Sequence, residues 1–175
     1  SLPGRKSWLL VIGDYKLPAG VTPTYKNEQF SLVPLSTGNR FVGEAKFNGP
    51  LDNGVLAGAE GLAGPEGFGR WSNDDRVKLH FKDPLPKRFN LFMTMQAFGP
   101  NEGKEFVVRV GGAEQRIKLA PLPHEVYLKF ETDGMQKTVE IDVPQAVSPK
   151  ELGMSEDIRR LGLGITRVEI GVPAQ

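Results

Sequence analysis

The feature that most constrains the fold of this chain is an alternation of apolar and polar side chains that recurs from residue 76 to residue 143. Successive side chains of a β-strand point to opposite faces of the sheet, so a two-residue period predicts strands with one buried face. The longest run carries five apolar residues on one face, namely Phe89, Leu91, Met93, Met95 and Ala97. We expect this run to form a central strand.

Shorter runs with the same period lie on both sides of the longest one. Their apolar members are Val77, Leu79 and Phe81, then Phe106, Val108 and Val110, then Ile117 and Leu119, then Val126, Leu128 and Phe130, then Val139, Ile141 and Val143. The 21 glycines and 14 prolines disfavour long helices, and Gly111-Gly112 and Asp133-Gly134 are typical of hairpin turns. This spacing predicts an all-β fold, a jelly-roll-like antiparallel β-sandwich.

One segment near the end of the chain departs from the alternation. Ser148 and Pro149 suit the N-cap and the first position of a helix, so a short helical turn is predicted between Ser148 and Arg160, interrupted at Gly153. The last strand is then expected from Gly164 to Ile170, with one face formed by Thr166, Val168 and Ile170.

The first part of the chain has a different sequence pattern from the rest, and we interpret residues 1–51 as a linker or edge segment from a longer parent protein. Residues 52–175 are interpreted as a β-sandwich accessory domain. A short apolar strand is predicted from Trp8 to Ile12, and Pro34 favours edge placement for any strand around Phe30, Leu32 or Phe41. The run from Trp8 to Ile12 is far shorter than the ~20 residues of a membrane helix, so no direct membrane insertion is expected.

Charge and cysteine content exclude several classes of function. Lysine and arginine total 22 against 21 for aspartate and glutamate, so no nucleic-acid partner is expected. The absence of cysteine excludes thiol catalysis and thiolate metal sites. His80 and His124 are far apart in sequence, so a zinc site is not expected. Asn73, Asp74 and Asp75 offer adjacent oxygen ligands for calcium, but three such residues in a row are more typical of a turn. No cofactor is predicted.

A glycine-rich segment from Glu60 to Ser72 contains the most unusual combination of side chains, Arg70 next to Trp71. An indole stacks on the apolar face of a pyranose, and a guanidinium donates in a planar fork to hydroxyls or phosphate, so this loop is a candidate glycan-binding site. In the alternative interpretation, Trp71 is a core anchor and Arg70 pairs with a carboxylate.

Two blocks of sequence resemble a known family. They are GPEGFGRWSNDDRVKLHFKDPLP, from Gly64 to Pro86, with FGPNEGKEFVVRVGG following from Phe98 to Gly112, and SPKELGMSEDIRRLGLGITRVEI, from Ser148 to Ile170. The chain is similar to the C-terminal β-sandwich domain of bacterial membrane-bound phosphoglycerol transferases and related envelope glycosyltransferases. The resemblance covers about two thirds of the chain and concerns the domain rather than an activity.

The resemblance implies a location on the periplasmic side of the inner membrane of a Gram-negative bacterium. It implies a parent transferase that modifies envelope glycans such as osmoregulated periplasmic glucans, whose catalytic domain is a partner of this one. The matching positions are Glu66, Arg70, Trp71, Asn101, Asp157 and Arg159, none of them catalytic. We expect Asp157 or Glu66 to pair with Arg70 or Arg159, because buried arginine is tolerated chiefly when paired.

A catalytic alternative rests on Glu140 and Asp142, which share one face of a predicted strand. They resemble the acids of laminarinase-type glycosidases, which need two suitably spaced carboxylates. The place of the second catalytic acid is taken by Gln145. Glycosidase activity is therefore the least favoured of three hypotheses.

The favoured hypothesis is a non-catalytic accessory domain that binds or positions a glycan acceptor. The candidate contacts are Trp71, Arg70 and Asn101, together with Phe92 and Phe98 from the mixed face of the central strand. The second hypothesis is a structural docking domain with no ligand of its own. Solvent exposure of Trp71 favours the first, and burial of Trp71 favours the second.

Overall fold

The computed structural model describes residues 7–12, 25–26, 29–35 and 39–173, and this part of the chain is mostly β-strand. It contains one short 3-10 helix, Gly99–Asn101, and no α-helix. The strands are β1 (Ser7–Ile12), β2 (Tyr25–Lys26), β3 (Phe30–Leu35), β4 (Asn39–Lys46), β5 (Leu56–Glu60), β6 (Arg70–Trp71), β7 (Arg76–Phe81), β8 (Arg88–Ala97), β9 (Glu105–Val110), β10 (Ala113–Lys118), β11 (His124–Glu131), β12 (Thr138–Asp142) and β13 (Leu163–Pro173).

Strands β4 to β13 form two sheets. Sheet I has the order β10-β9-β12-β7-β5, and sheet II has the order β11-β8-β13-β4, with β6 also paired to β13. Every pairing of these strands whose register is described is antiparallel. A single cluster of buried side chains from both sheets forms the core, and it includes the apolar faces of β7, β8, β9 and β12. The predicted antiparallel β-sandwich is confirmed, with β8 between β11 and β13.

The compact unit that contains the sandwich runs over Val42–Val172. The sequence placed the start of the sandwich after residue 51, but Ala45 and Phe47 are buried in its core and β4 is a strand of sheet II. The sandwich therefore begins earlier than the change in sequence pattern indicates.

Strands β1, β2 and β3 form a separate three-stranded sheet with the order β1-β3-β2. Pro34 lies in β3, the middle strand, rather than in the edge strand that the sequence favoured. It is opposite Trp8 of β1, whereas β2 pairs only with Leu32 and Ser31. Pro34 is tolerated because the short strand β2 ends before reaching it.

The two predicted hairpin turns have different outcomes. Gly111-Gly112 joins β9 to β10, with Val110 directly opposite Ala113, as expected for a two-residue hairpin. Asp133-Gly134 instead follows β11 of sheet II and leads to β12 of sheet I, so it connects the two layers. Turn chemistry indicates a reversal of the chain, but it does not determine which strands pair.

Strand β13 contains a bulge that shifts its two-residue period. Ile165 pairs with Met95, and Arg167 pairs with the adjacent Thr94, so Thr166 is an extra residue. The inward face is formed by Leu163, Ile165, Val168 and Ile170. The expectation that Thr166 shares a face with Val168 is corrected by this bulge.

The predicted helical piece is a single capped turn. The Ser148 hydroxyl accepts a hydrogen bond from the Glu151 amide (3.1 Å), and the Glu151 carboxylate accepts one from the Ser148 amide (2.8 Å). These contacts form a capping box, and they lower the pKa of Glu151. Gly153, with φ of 69°, ends the turn, and the Met154 amide donates to the Pro149 carbonyl (2.8 Å).

We expect Ser148→Ala to lower the free energy of unfolding by about 1 kcal/mol, because it removes the N-cap of this turn. Urea denaturation followed by far-UV circular dichroism measures this change. Glu156→Gln is the control, since Glu156 is 91% exposed and lies in the same segment. Equal stability of the two variants would show that the capping box contributes nothing.

Candidate functional site

Three aromatic side chains, which we call the aromatic cluster, lie together at one end of sheet II: Phe68, Trp71 and Phe98. The Trp71 ring centroid is 5.1 Å from that of Phe68 and 5.6 Å from that of Phe98, in tilted and edge-on geometries. A Cβ atom built on Gly164 would lie 2.9 Å from Trp71 Cζ3, so the indole covers this glycine. Trp71 is partly exposed, neither sealed in the core nor free of packing.

A tight turn from Glu66 to Gly69 presents Phe68. The Glu66 amide donates to the Gly69 carbonyl (2.7 Å), and the Gly69 amide donates back to the Glu66 carbonyl (3.1 Å). Gly69 has φ of 152° and lies against the backbone of Ile165 in β13. Phe68 is thereby held at the tip of a turn that is fixed to sheet II.

A groove of about 460 Å³ lies beside Phe68, and we call it the outer groove. Arg167 lies in it, with guanidinium nitrogens 3.5 Å from a Glu125 carboxylate oxygen, 3.8 Å from Glu44 and 3.9 Å from Glu169. The groove therefore has both apolar and ionic walls. Its lining residues are Lys46, Asn48, Gly67, Phe68, Thr94, Pro123, Thr166 and Arg167.

Farther along sheet II, Phe92 packs against Tyr127 of the neighbouring strand, with ring centroids 4.9 Å apart. The two residues are directly opposite each other in the register of β8 and β11. Lys129 places its ammonium 5.6 Å from the Tyr127 ring centroid. Thr94, which lines the outer groove, and Phe92 alternate with buried residues on β8, so they lie on the same face of the strand. The Phe92–Tyr127 pair is therefore on the solvent-facing side of sheet II, as is the outer groove.

Arg70 has a structural position that neither interpretation of the sequence anticipated. Its Nη1 donates to the Ala63 carbonyl (2.7 Å), and its Nη2 donates to the Gly49 carbonyl (2.8 Å). Both terminal nitrogens are thus engaged by backbone, and the partners are not carboxylates. Arg70 ties β6 to two loops, and a contact of Arg70 with a glycan stays a prediction.

Asn101 is also corrected from a glycan contact to a structural residue. Its side chain is fully buried and donates to the carbonyls of Phe98 (3.0 Å) and Gln145 (2.7 Å). Its Oδ1 accepts from the Gln145 amide (2.9 Å). Asn101 therefore joins the 3-10 turn to a segment 44 residues away and is not accessible to a ligand.

Arg159 joins the two sequence blocks through ion pairs. Its guanidinium contacts Glu66 (2.8 Å) and Asp157 (2.6 Å), whereas Arg70 pairs with neither carboxylate. Hydrogen bonds from Arg159 lower the pKa of Asp157, and hydrogen bonds to Asp157 and Glu66 raise the pKa of Arg159. The segment after Ser148 is thereby connected to the turn that carries Phe68.

The carboxylates of the glycosidase hypothesis lie on β12 of sheet I. Asp142 contacts both Arg76 and Arg109, and Glu140 lies 3.6 Å from Arg76. Burial acts to raise the pKa of Asp142, but hydrogen bonds from the two arginines outweigh it, so the pKa is lowered. Gln145, at the place of the expected proton donor, accepts a hydrogen bond from Lys104. Glu140 and Asp142 therefore belong to an ion-pair network with Arg76 and Arg109.

The Asn73-Asp74-Asp75 turn is engaged by the protein itself. Asn73 accepts from the Arg160 amide (3.1 Å), Asp75 accepts from the Arg160 guanidinium (3.4 Å), and the Asp74 side chain accepts from the Asp75 amide (2.7 Å). Within residues 39–173 and the described parts of the first 35, no group of three or more histidine or acidic side chains is arranged to hold a metal ion.

A comparison with protein families decides the classification of the chain. Residues 44–172 match the model of a family described as a domain of unknown function, DUF7024. The chain belongs to the DUF7024 family. The matched range nearly coincides with the compact sandwich, Val42–Val172, so the match begins within β4 and ends one residue before the end of β13.

Among curated proteins, the DUF7024 domain is similar to phosphoglycerol transferase I of Salmonella paratyphi B, with 39% identity over 116 residues. The similarity covers 63% of this chain and 15% of the Salmonella protein. The chain thus spans only a small part of the relative that it matches. The resemblance to phosphoglycerol transferases predicted from the sequence is confirmed.

Two solved structures are similar to this chain. They are the apo CBM1 module of BiXyn10A (TM-score 0.40, 12% identity, 75% of this chain and 88% of that one) and the CBM36-1 domain of a multidomain xylanase from the hindgut metagenome of Trinervitermes trinervoides (TM-score 0.41, 12% identity, 76% and 96%).

Sequence reasoning missed Phe68 and Arg167, which line the outer groove. Phe68 had a detectable signal, since a large aromatic residue between two glycines is typical of an exposed turn tip. Arg167 had a weak signal, because only Glu169 is near it in sequence, whereas its partners Glu44 and Glu125 come from the distant strands β4 and β11.

Proposed function

We propose that this DUF7024 domain is a non-catalytic accessory domain of a phosphoglycerol transferase-like envelope enzyme, where it binds or positions a glycan acceptor. The similarity to phosphoglycerol transferase I supports the parent enzyme. A location on the periplasmic side of the inner membrane belongs to the same proposal. In the described residues, no helix has the length and apolarity of a membrane span.

The observation that carries the proposal is that Phe68 lines the outer groove and also contacts Trp71. Aromatic rings bind the apolar faces of sugar rings, and charged or amide side chains bind their hydroxyls. The outer groove offers both within one site, with Arg167 and Asn48 close to the aromatic cluster. The second aromatic pair, Phe92 and Tyr127, extends this surface along sheet II.

We expect neutral glucan hexasaccharides at millimolar concentration to change the fluorescence of Trp71. Trp8→Phe leaves Trp71 as the only tryptophan of the chain, so the signal is unambiguous. Phe68→Ala in this background should weaken binding about tenfold, which corresponds to ~1.4 kcal/mol, because it removes an aromatic wall of the groove. The same titration followed by NMR reports the amides of β8 and β13.

Met135→Ala is the matched control, since Met135 is 73% exposed and follows the far end of β11. It should leave the titration unchanged. If no hexasaccharide alters the fluorescence or the amide shifts, glycan binding by this domain is rejected.

A second candidate function, docking onto the catalytic part of a parent enzyme, is favoured by a different surface. Leu152, Met154 and Ile158 are 40%, 64% and 74% exposed within the segment that follows the capped turn. Exposed large apolar side chains this close in sequence favour an interaction surface. Docking predicts that Ile158→Asp weakens association with the separately expressed catalytic region and leaves glycan titrations unchanged.

A further inference from the structure

We propose that the ligand of this domain is an extended oligosaccharide, which lies along sheet II and contacts the aromatic cluster and the second aromatic pair, Phe92 and Tyr127, at the same time. This inference rests on the proposed function, and it adds the length and the path of the ligand. It makes a polymeric glycan, rather than a single sugar, the class of ligand that the domain selects.

The two aromatic sites lie on the same face of sheet II. Phe92, Thr94 and Gln96 alternate with buried core residues on β8 and therefore share its outward face. A Cβ atom built on Gly164 would lie 2.9 Å from Trp71 Cζ3 and 2.8 Å from Gln96 Cγ, so Trp71 and Gln96 flank this glycine on that face. Thr94 lines the outer groove. The aromatic cluster, the outer groove and the second aromatic pair thus follow one another along β8.

The strand register gives the distance between the two aromatic sites. Trp71 is opposite Gly164, which is in turn opposite Gln96. Tyr127 is opposite Phe92, four positions before Gln96 on β8. An antiparallel strand rises about 3.4 Å per residue, so these two rows of side chains are roughly 14 Å apart. One pyranose ring is much shorter than this span, and only a chain of several sugars can occupy both sites together.

The second aromatic pair has the chemistry of a sugar site. Tyr127 is 44% exposed, and Phe92 is partly exposed beside it. Exposed aromatic rings bind the apolar faces of pyranose rings. The ammonium of Lys129, 5.6 Å from the Tyr127 ring centroid, is a hydrogen-bond donor for sugar hydroxyls at this position. Phe68 and Lys46 provide the same combination at the outer groove.

A polar side chain lies between the two aromatic sites. Thr94 is halfway from Gln96 to Phe92 on β8, and its hydroxyl both donates and accepts hydrogen bonds, as sugar hydroxyls do. A chain that lies over β8 therefore meets an aromatic site, a polar position and a second aromatic site in turn. Two contacts made by one ligand reinforce each other, because the second forms within the complex once the first has formed. Long chains are thereby preferred over short ones.

The test is a series of ligands of increasing length. The full chain carrying Trp8→Phe is titrated with mono-, di-, tetra- and hexasaccharides of β-1,2, β-1,3, β-1,4 and α-1,4 glucans, and Trp71 fluorescence gives each affinity. For the linkage that binds, we expect the hexasaccharide to bind about tenfold more tightly than the disaccharide, because only the longer chain reaches the second aromatic pair. Equal affinities for the two ligands overturn the inference while the proposed function stands.

Removal of one ring identifies the second site. Tyr127→Ala should weaken binding of the hexasaccharide about fivefold, whereas the disaccharide, which Trp71 reports at the aromatic cluster, should keep its affinity. Met135→Ala is again the control, because it removes an exposed apolar side chain beyond the end of β11. An equal loss for both ligands in Tyr127→Ala, or a loss for neither, overturns the inference. If no saccharide of any length binds, this inference and the proposed function both fail.

Discussion

Asn101→Ala is expected to lower the free energy of unfolding by about 3 kcal/mol. The substitution removes three hydrogen bonds from a fully buried site and leaves the Phe98 carbonyl and both backbone groups of Gln145 without these partners. A buried polar group that loses its partner costs about 1–3 kcal/mol, so the combined effect is large for one side chain.

Chemical denaturation monitored by circular dichroism measures this loss. The matched control is Glu102→Ala, which alters the exposed neighbour of Asn101 and should leave the midpoint nearly unchanged. A midpoint for Asn101→Ala within error of this control would show that the contact between the 3-10 turn and Gln145 is dispensable.

Gly69→Ala is expected to destabilise the domain by at least about 3 kcal/mol, or to detach the turn that carries Phe68. The backbone has φ of 152° there, and an added Cβ would lie 2.1 Å from the Ile165 carbonyl oxygen. The obstacle is the backbone of β13, so no side-chain rotation relieves the clash. Either β13 shifts, or the pairing of Arg70 with Ile165 is lost.

Gly67→Ala is the matched control, since Gly67 lies two residues earlier and a Cβ built on it meets no atom within 4 Å. Thermal unfolding gives the stability of each variant, and the emission maximum of Trp71 reports whether the aromatic cluster opens. A red shift is expected in Gly69→Ala alone. Identical unfolding and emission in the two variants would falsify the account of this turn.

The buried faces of the strands were predictable from sequence because they are a local, periodic property. The sets containing Leu79, Met93 and Val108 are all buried in the core, as the alternation predicts. The bulge in β13 also has a signal in the sequence, since the apolar Val168 follows Ile165 by three positions rather than by the two of regular alternation. Sequence position alone did not reveal that Asp133-Gly134 joins different sheets, because strand pairing depends on distant segments.

The candidate site was less predictable, for a physical reason. Arg70 and Asn101 have side chains suited to a ligand, but the terminal nitrogens of Arg70 and the amide of Asn101 bind backbone groups. Every residue type has such backbone groups, so the sequence does not reveal these partners. Trp71 lies between the two predicted alternatives, because partial packing against Phe68 and Phe98 leaves part of its indole exposed. The outer groove depends on residues from several strands and was visible only after folding.

The bulge at Thr166 also separates two partners of one strand. Before it, β13 pairs with β6 through Gly164 and Ile165, and at the bulge the Thr166 carbonyl accepts from the Phe47 amide, just after β4. Changes in length at the exposed Gly64 and Pro65, outside the turn from Glu66 to Gly69, can therefore leave the ladder between β8 and β13 intact. Loop grafting at this position therefore offers protein engineers a way to vary one loop on a constant scaffold.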